Sequence, residues 1–510
     1  ARDRGLYRCI TDNGAGGLSS SVGEMARLSG GAKLDVRQAK VKYAGLKPYE
    51  LVVSESQERM TVAVPTSNVE IFKSLADRRG VEWSDVGEFN DSGRFDILYG
   101  DKLVGSLALE FLHQGVPQLE ISAEWKGIPA PPETIERSFE MDGARVLLEL
   151  MGRPNIASKE WMISQYDHEV QGTSVIKPLH TALPGTSLAV SGPNDAAVIK
   201  PKPKTEAGIA VGCGINPKLS DLDPYLMAQS SVDEAIRNVL CVGAEFGKPE
   251  HVVSLIDNFC WPDPVSDPGK AAALVRACFG LRDSARALSV PLISGKDSMK
   301  NDFRGKLDGK DIQISVPPTL LMTAMAKVPD IRLTRTSDFK MAGDIIFLMG
   351  GESLGLWGSE FQSLYKTLPG AARLGLPNWE MAKKLYAWLG SEKSRETVKI
   401  KSLHDVSDGG VLVTVAEGMI ARGLGASISF PDECDPWDIA FGEGFHTFIA
   451  TVSESEAKLL EDELKIAQIP FRKLGSVTKT DRLEVRHLKC DWRVSISEIR
   501  SAWKKEGYWE

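Results

Sequence analysis

The sequence predicts a chain of mixed α/β and α+β architecture in which two copies of one domain flank a different domain. Three observations carry this prediction. A glycine-rich turn that ends a short strand and starts a helix occurs twice, in "ITDNGAGGLSSSVGEM" (Ile10 to Met25) and in "LHDVSDGGVLVTVAEGM" (Leu403 to Met419). Further residues match between the two regions in the same order. Between the regions, strand-like apolar runs alternate with helical patterns.

The repeat is defined by residue pairs at a nearly constant separation. In chain order the matched pairs are Asp12 with Asp405, Glu24 with Glu417, Glu55 with Glu443, and Gly87 with Gly475. The first two pairs are 393 positions apart (405 − 12 = 393) and the last two are 388 apart (443 − 55 = 388), so the register holds with one five-residue adjustment. Ordered matches of this kind predict a duplicated domain.

The second copy opens with a segment that the first copy lacks. The run "AGDIIFLMGG", Ala342 to Gly351, is typical of a buried strand that enters a glycine turn. Its counterpart would precede residue 1, so we expect this chain to be the C-terminal portion of a longer polypeptide; a natural domain without that strand is the alternative. The predicted organisation is a partial first copy (1–112), a linker (113–164), the different domain (165–330) and the second copy (331–510).

Composition limits the kinds of partner. The chain has 510 residues, of which 42% are hydrophobic and 25% charged, as in ordinary globular proteins. A net charge of -8 gives no general attraction to nucleic acid or to anionic lipid, and no apolar run is long enough for a membrane span. Seven cysteines without CxxC spacing indicate free thiols in a reducing cytoplasm. We therefore predict a cytoplasmic protein that binds neither nucleic acid nor membranes.

The two glycine-rich turns are candidate anion or metal sites. In the first, the apolar face predicts a helix that begins near Leu18, and its free N–H groups and small glycines admit an anion. Asp12 and Asp405 lie just upstream, where a carboxylate can hold Mg²⁺ against a phosphate. A tight turn capped by Asp is the alternative, but the duplication favours the site.

A second set of oxygen ligands lies in the middle domain. A helical pattern over residues 231–247 places Glu234 and Asn238 on one side, next to the apolar stripe, and such oxygens suit a hard cation. A solvated helix face is the plain alternative. Asp195, before a strand, and Asp257, after one, occupy positions that often mark sites in α/β sheets.

The remaining motifs are weaker. In "PLISGKDSMKND", Lys296 follows a strand and a glycine and offers charge to a phosphate, although a polar turn explains the pattern equally well. There is no Walker A loop and no zinc pattern. Cys213 is interpreted as a small buried cysteine, and His404 and His446 as structural histidines with satisfied partners.

Together, several strings resemble the phosphoribosylformylglycinamidine synthases. They are "ITDNGAGGLSSSVGEM", "SESQERM", "QYDHEVQG", "DEAIRN", "ISGKDSMKN" and "HDVSDGG". The resemblance covers nearly the whole chain. It implies a tandem AIR-synthetase-like repeat: a partial α/β B domain, then a ferredoxin-like A domain and a second B domain.

The resemblance also implies an activity and a set of roles. The family converts an amide, formylglycinamide ribonucleotide, to an amidine with ATP, Mg²⁺ and ammonia. The implied substrate contacts are Glu55, Ser56 and Gln57; the implied magnesium ligands are Asp12 and, at a second, non-catalytic nucleotide site, Asp195, Glu234, Asn238 and Asp405; the implied nucleotide contacts are Asn194, Lys296 and Ser407. Glu443-Gly444-Phe445 replaces the substrate trio in the second copy, so only the first copy is expected to keep it.

The family's catalytic His is expected upstream of these residues, so no catalytic residue is assigned and the chain is predicted to be incomplete alone. The expected partners are the missing N-terminal half, a glutaminase subunit that supplies ammonia, and a second copy bound through the A domain, whose sheet would otherwise lack its twin. The alternatives are an ADP-binding scaffold without turnover, another ATP-dependent enzyme of the AIR synthetase superfamily, and an inactive interaction module.

Overall fold

Residues Ala1–Glu120 fold as one unit and residues Ile121–Glu510 as another in the computed structural model of this chain. The structure describes residues 1–135, 141–180, 190–351, 353–369 and 371–504, without the side chains of Gln57, Ile135 and His180.

The first unit alternates strands and helices. Its elements are β1 (Cys9–Asn13), α1 (Gly17–Ser29), β2 (Gly31–Asp35), α2 (Pro48–Val53), β3 (Ser56–Ala63), α3 (Val69–Arg78), β4 (Gly87–Asn90), β5 (Arg94–Tyr99), β6 (Lys102–Ala108) and α4 (Leu109–Gln114). Strands β1 and β3 form one antiparallel pair, and a second sheet has the order β4-β2-β5-β6. The core forms because Leu18, Val22 and Ala26 on one face of α1 are buried with Leu34 and Phe95 of the second sheet.

The second unit begins at Ile121, inside the segment predicted as a linker (113–164), and continues into the middle domain. Its elements up to residue 328 are β7 (Thr134–Ile135), α5 (Gly143–Met151), α6 (Glu160–Ile163), β8 (Ser174–Ile176), β9 (Leu179–His180), β10 (Gly192–Pro193), β11 (Ala196–Ile199), β12 (Gly208–Ile215), α7 (Pro224–Cys241), β13 (Ser254–Cys260), α8 (Pro268–Leu288), β14 (Leu292–Ser298), β15 (Asp302–Leu307), β16 (Lys310–Ser315) and β17 (Thr319–Val328). Helix α5 packs its apolar face, with Val146 and Leu150, into the core of the second copy.

The middle domain is a six-stranded sheet of order β14-β13-β17-β12-β11-β8. Strand β17 alternates strictly between buried and half-buried residues, because one face of the sheet lies under α7. The helical pattern predicted over 231–247 belongs to α7, which starts earlier, at Pro224, and ends at Cys241. The extension to 247 was wrong because Gly243 has a φ of 100° and directs the chain out of the helix.

The second copy completes the chain. Its elements are β18 (Ile345–Gly350), α9 (Glu360–Leu364), β19 (Leu368–Pro369), α10 (Trp379–Leu389), β20 (Ser402–Asp405), α11 (Gly410–Ile420), β21 (Gly425–Ser429), α12 (Pro436–Phe441), β22 (Thr447–Val452), α13 (Glu454–Ile466), β23 (Phe471–Thr478), β24 (Arg482–His487), β25 (Cys490–Ser495) and α14 (Ile496–Trp503). Seven of these strands form one sheet of order β20-β22-β18-β23-β21-β24-β25.

The predicted repeat is confirmed strand by strand. From β1 to α4 the first copy has the same succession of elements as the second has from β20 to α14. The ladders agree as well: β1 pairs antiparallel with β3 as β20 does with β22, and β2 pairs parallel with β5 as β21 does with β24. Helices α1 and α11 both follow a left-handed glycine, Gly16 with a φ of 81° and Gly409 with a φ of 83°, a conformation that glycine adopts without strain.

The ladder registers correct the predicted spacing in one detail. Leu34 faces Gly87, and Ile428 faces Gly475, so Leu34 corresponds to a residue 394 positions later (428 − 34 = 394). The offset therefore changes from 393 to 394 after the first helix, before it falls to 388. The expectation of one five-residue adjustment was wrong because turn lengths differ at two places.

No helix among the described residues is long and apolar enough to cross a bilayer.

The separate cores predict local effects of core substitutions. Replacing the buried Phe95 with Ala should lower the free energy of unfolding of residues 1–120 by about 3–5 kcal/mol, because a large cavity remains. Hydrogen exchange measured by mass spectrometry should show faster exchange in β2 and β5 and unchanged exchange in β18 and β22. Leu103→Ala, at an exposed position, is the control; faster exchange in both units of the Phe95 variant would contradict separate cores.

Candidate functional site

An acidic cluster lies where the middle domain meets the second copy. Asp195 comes between β10 and β11, and His404 and Asp405 end β20. One ligand atom of each residue lies within 4.8 Å of the others. His404 Nδ1 is 2.7 Å from Asp195 Oδ1, and the backbone N–H of Asp405 donates to the same oxygen over 3.2 Å. Two segments about 210 residues apart are thus brought together around one carboxylate.

Ser407 connects this cluster to α7. Its hydroxyl oxygen lies 2.6 Å from Asp405 Oδ2 and 3.1 Å from Glu234 Oε1. The other oxygen of Glu234 accepts the backbone N–H of Ile215 over 2.8 Å. Asn238, one turn further along α7, donates from Nδ2 to the carbonyl of Cys213 over 2.7 Å. The predicted residues Asp195, Glu234, Asn238, Asp405 and Ser407 are therefore all placed in one neighbourhood.

Two of the side-chain oxygens of these five residues are buried and accept no hydrogen bond: Asp195 Oδ2 and Asn238 Oδ1. Leaving a buried acceptor unpaired costs free energy comparable to its desolvation, so such atoms usually have a ligand, water or ion as partner. Carboxylate and amide oxygens are the donors that Mg²⁺ prefers. The residues present therefore fit a hard divalent cation.

The guanidinium group of Arg237 balances part of the negative charge of the acidic cluster. Arg237 is fully buried, with Nε 3.0 Å from Asp233 Oδ2 and Nη1 3.3 Å from Asp405 Oδ2. Nη1 also donates to the carbonyl of Val406 over 2.7 Å. Arg237 was not predicted as a member of this site, although its spacing in "DEAIRN" places it beside Glu234 and Asn238.

Burial and mutual repulsion shift the pKa values of the acids in the cluster. Burial, helped by Asp405 and Asp408, raises the pKa of Glu234 to about 8. Burial also raises the pKa of Asp405 to about 6, against the opposing effect of Arg237. Burial lowers the pKa of His404, but Asp195 and Glu417 overcome it and hold that pKa well above the ordinary value. Burial and the neighbouring charges thus raise the pKa of Glu234, of Asp405 and of His404 above their ordinary values.

The N-terminus of α11 is closed by the protein itself. Glu443 Oε1 accepts the N–H groups of Gly409 and Glu360, each over 2.8 Å. Lys218 reaches Glu443 Oε2 at 3.3 Å and also pairs with Asp408. Burial raises the pKa of Glu443 to about 7, although Lys218 opposes the shift. An internal carboxylate therefore takes the position that an anion would occupy at this helix end.

The first copy presents the same turn open to solvent. Asp12 is exposed, and its Oδ1 accepts only the N–H of Gly14, over 2.8 Å, among the bonds of residues 1–120. Asn13 faces Ser56 in the ladder, which brings the start of β3 beside the turn. Glu55 is exposed as well; the structure describes the backbone of Gln57 but not its side chain. Asp12, Glu55 and Ser56 are thus neighbours at an accessible helix N-terminus.

Other predicted residues lie elsewhere. Lys296 lies on the exposed edge strand β14, and none of the contacts described for it joins it to the cluster. Asn194 is next to Asp195, but its Nδ2 donates to the carbonyl of Lys177 over 2.9 Å, and its Oδ1 is buried without a partner. Cys213, predicted to be buried, is exposed on the open face of the sheet, because β12 alternates between faces and only its even-numbered residues lie under α7.

Both ring nitrogens of His404 have partners, as predicted, whereas Nε2 of His446 is buried without one, so the prediction of a fully satisfied histidine was wrong there. His446 Nδ1 lies 2.5 Å from Asp233, which also binds Tyr386. His404 lies between Asp195 and Glu417. Its position within the acidic cluster was not foreseen, because the chain offers no local signal that Asp195 would approach it.

Comparison with protein families matches "AIR synthase related protein, C-terminal domain" to residues 1–100 and 341–488 and "AIR synthase related protein, N-terminal domain" to residues 193–316. Curated relatives include phosphoribosylformylglycinamidine synthase subunit PurL of Alkaliphilus metalliredigens, 30% identical over 508 residues, and that of Gloeobacter violaceus, 31% identical over 516 residues. Each alignment takes 97% of this chain and 63% of the relative. The chain thus spans about 63% of the length of the curated relatives it matches.

Solved structures of Thermotoga maritima PurL are similar in fold. The complex with ADP superposes with a TM-score of 0.59 at 21% identity, covering 93% of this chain and 65% of that chain. The complex with FGAR gives a TM-score of 0.57 at 20% identity, covering 93% of this chain and 62% of that chain. The two C-terminal-type domains around an N-terminal-type domain confirm the predicted fold class.

The raised pKa of Glu234 predicts a pH-dependent stability. Below about pH 4.5 this side chain is protonated in both the folded and the unfolded state; as pH rises from 4.5 towards 8, the unfolded state ionises first and stability is lost. Glu234→Gln, which cannot ionise, should therefore gain stability relative to the wild type across this window.

Urea unfolding at a series of pH values with chelator present measures this difference. Glu454→Gln, an exposed position on α13, should show no such trend. A Glu234→Gln difference that stays constant from pH 4.5 to 8 would contradict the assignment.

Proposed function

The chain belongs to the AIR synthase related proteins, and from this premise we propose that it acts as a portion of an ATP-dependent carbon–nitrogen ligase. The reaction is the conversion of formylglycinamide ribonucleotide and ammonia to formylglycinamidine ribonucleotide in purine biosynthesis. The names of the curated relatives support this reaction, and the two site arrangements in this chain support a division of roles between the copies.

The observation that carries the proposal is the buried acidic cluster with two unsatisfied oxygens. We assign Asp195, Glu234, Asn238 and Asp405 as the groups that hold Mg²⁺ with a nucleotide, and Ser407 as a nucleotide contact. Bound Mg²⁺ offsets the negative charge of phosphate oxygens. The Thermotoga maritima relative crystallises with ATP and with ADP, which agrees with a nucleotide in this fold.

We propose that the nucleotide at this cluster is structural. Ser407 and Arg237 tie the cluster to both α7 and β20, so a ligand here would join the middle domain to the second copy. Glu443 closes the adjacent helix end and leaves no free N–H group at Gly409 for a transferred phosphoryl group. Structural binding of ADP at this position is therefore part of the proposed ligase function and is not an alternative to it.

The substrate belongs to the first copy in this proposal. Helix α1 has 13 residues, and its N-terminus lies beside the exposed acids Asp12 and Glu55. Helix N-termini attract phosphate, and carboxylates such as Asp12 hold Mg²⁺ against it. We assign Glu55, Ser56 and Gln57 to the formylglycinamide ribonucleotide, which the Thermotoga maritima relative binds as FGAR.

We propose three chemical steps for the whole ligase. ATP phosphorylates the amide oxygen of the substrate, ammonia attacks the activated carbon, and phosphate leaves with that oxygen. We propose a glutaminase subunit as the source of ammonia. One of the similar solved structures is that of PurLQS from Thermotoga maritima. All seven cysteines are free, which supports a cytoplasmic setting.

The nucleotide assignment predicts losses of binding. Asp195→Asn and Asp405→Asn should each weaken binding of ADP with Mg²⁺ by about tenfold or more, because a charged ligand becomes neutral. Isothermal titration of the full chain, with native mass spectrometry to detect retained nucleotide, measures this. Asp491→Asn, on the exposed side of β25, is the matched control. Unchanged affinity in both cluster variants would refute the assignment.

We also propose that the middle domain self-associates. Among the described residues, β14 is an edge strand of its sheet; it is exposed along most of its length, with Leu292 and Ile293 at the surface. Sedimentation velocity should show a dimer that Ile293→Asp weakens, whereas Leu307→Asp, at an exposed hairpin position, should not. A monomer at high protein concentration would contradict this proposal.

A further inference from the structure

The segment before β18 places a buried arginine at the C-terminal end of α7. Arg335 is 4% exposed, and its Nη2 donates to the carbonyl of Leu240, in the last turn of the helix, over 3.1 Å. The carbonyl groups at a helix C-terminus together carry a negative charge of about half an elementary charge. This contact therefore balances only part of the charge of the guanidinium group.

A second buried arginine lies beside the turn that follows α7. Gly390 packs closely against this turn, since a Cβ atom on Gly390 would lie 2.5 Å from the backbone nitrogen of Phe246. Arg395 is 7% exposed, and its Nη1 donates to the carbonyl of Gly390 over 2.7 Å. The end of α7 and the residues after it are thus accompanied by two buried guanidinium groups.

Three nitrogen atoms of these two side chains are buried without a hydrogen-bond partner: Nε and Nη1 of Arg335 and Nε of Arg395. All three are donors, because a guanidinium group has no acceptor. Buried donors in native proteins are nearly always paired with protein, water or an ion. What these arginines lack is therefore an acceptor.

The carboxylate of this region is occupied by other cations. Glu245 Oε1 accepts from Lys248 Nζ over 2.6 Å and lies 3.8 Å from Arg395 Nη2. Its Oε2 lies 2.7 Å from His251 Nδ1, although the two atoms are not aligned for a hydrogen bond. In the part of the chain that the structure describes, no ion pair includes Arg335. Glu245 therefore offsets the neighbouring cations and leaves Arg335 without a counter-charge.

The pKa of Arg335 agrees with this lack of a counter-charge. Burial lowers that pKa to about 10; the thiol of Cys241 opposes the shift, and Arg395 adds to it. Burial also raises the pKa of Cys241 well above its ordinary value, so the thiol is neutral. No group of the protein thus supplies the negative charge that a buried guanidinium requires.

We propose that Arg335 binds one small inorganic anion, of the size and charge of chloride, at the C-terminal end of α7. Its Nε and Nη1 donate to the ion, and Arg395 adds positive charge to the site. A water molecule would satisfy the donors but would leave the buried charge uncompensated, which is strongly unfavourable. Because the nitrogen atoms are closed to solvent, the site admits a single ion and no larger molecule. This inference does not rest on the proposed ligase function.

Such an ion would stabilise the junction between the middle domain and the second copy. Thr336, next to Arg335, forms a parallel bridge with Ser402 at the start of β20. Ser337 donates its hydroxyl to the carbonyl of Pro193 over 2.5 Å. The segment that carries Arg335 is therefore held to the second copy, and the ion would fix the same segment to α7.

Hydrogen exchange of the full chain, measured by mass spectrometry, tests this effect. Potassium gluconate is replaced stepwise by potassium chloride at constant ionic strength. Exchange in residues 236–246 and 333–337 should slow by up to about tenfold for each tenfold rise in free chloride above the dissociation constant, because the ion binds only the closed state.

Two variants separate this site from general salt effects. Arg335→Met keeps a side chain of similar length without the charge, so it should lose the chloride dependence and be at least as stable as the wild type in gluconate. Arg304→Met, at an exposed position on β15, is the matched control and should keep the dependence. Equal chloride dependence in the wild type and Arg335→Met would overturn the proposal.

Crystals of the wild-type chain grown in potassium bromide give an independent test, because bromide replaces chloride and scatters anomalously. We expect an anomalous peak within hydrogen-bond reach of Arg335 Nε and Nη1. This measurement does not depend on how the Arg335 variant folds. The absence of a peak at that position, with or without an ordered water molecule there, would also overturn the proposal.

Discussion

The guanidinium group of Arg237 is the buried charge around which the second unit is arranged. It sits on α7 of the middle domain, yet it pairs with Asp405 and donates to the carbonyl of Val406 at the end of β20. A buried cation is tolerated only when its partners are fixed, since an unpaired charge in the interior costs several kcal/mol. These contacts of Arg237 hold α7 against the second copy. The same contact allows carboxylates to gather there, because Arg237 offsets part of their mutual repulsion.

The duplicated turn shows how one local motif acquires two environments. Both copies place a left-handed glycine before a helix and an aspartate at the end of the preceding strand. In the second copy, Glu443 and Lys218 close the helix end and α7 covers the aspartate. In the first, the corresponding Glu55 and Asp12 are exposed. Burial therefore encloses the acids of the second copy and leaves those of the first exposed to solvent.

Local patterns predicted the repeat well because they depend on short-range sterics. Gly16 and Gly409 need positive φ, and the apolar spacing after them needs only a helix. The same reasoning found Glu234 and Asn238 on one side of α7. It could not find His404 or Arg237 as members of the cluster, since their partners lie about 170 to 210 residues away in the chain. It misplaced Cys213 because small apolar residues along β12 do not reveal which face of the sheet is covered.

The sequence by itself determined the order of elements, the duplication, and the residue types that suit a cation and a phosphate. These follow from backbone preferences and from side-chain periodicity, which act within a few residues. Only the tertiary structure decided which of those residues share one site, and that Asp195 Oδ2 and Asn238 Oδ1 are left without partners. Such features depend on burial and on contacts between distant segments, and neither is encoded in the local spacing of residues.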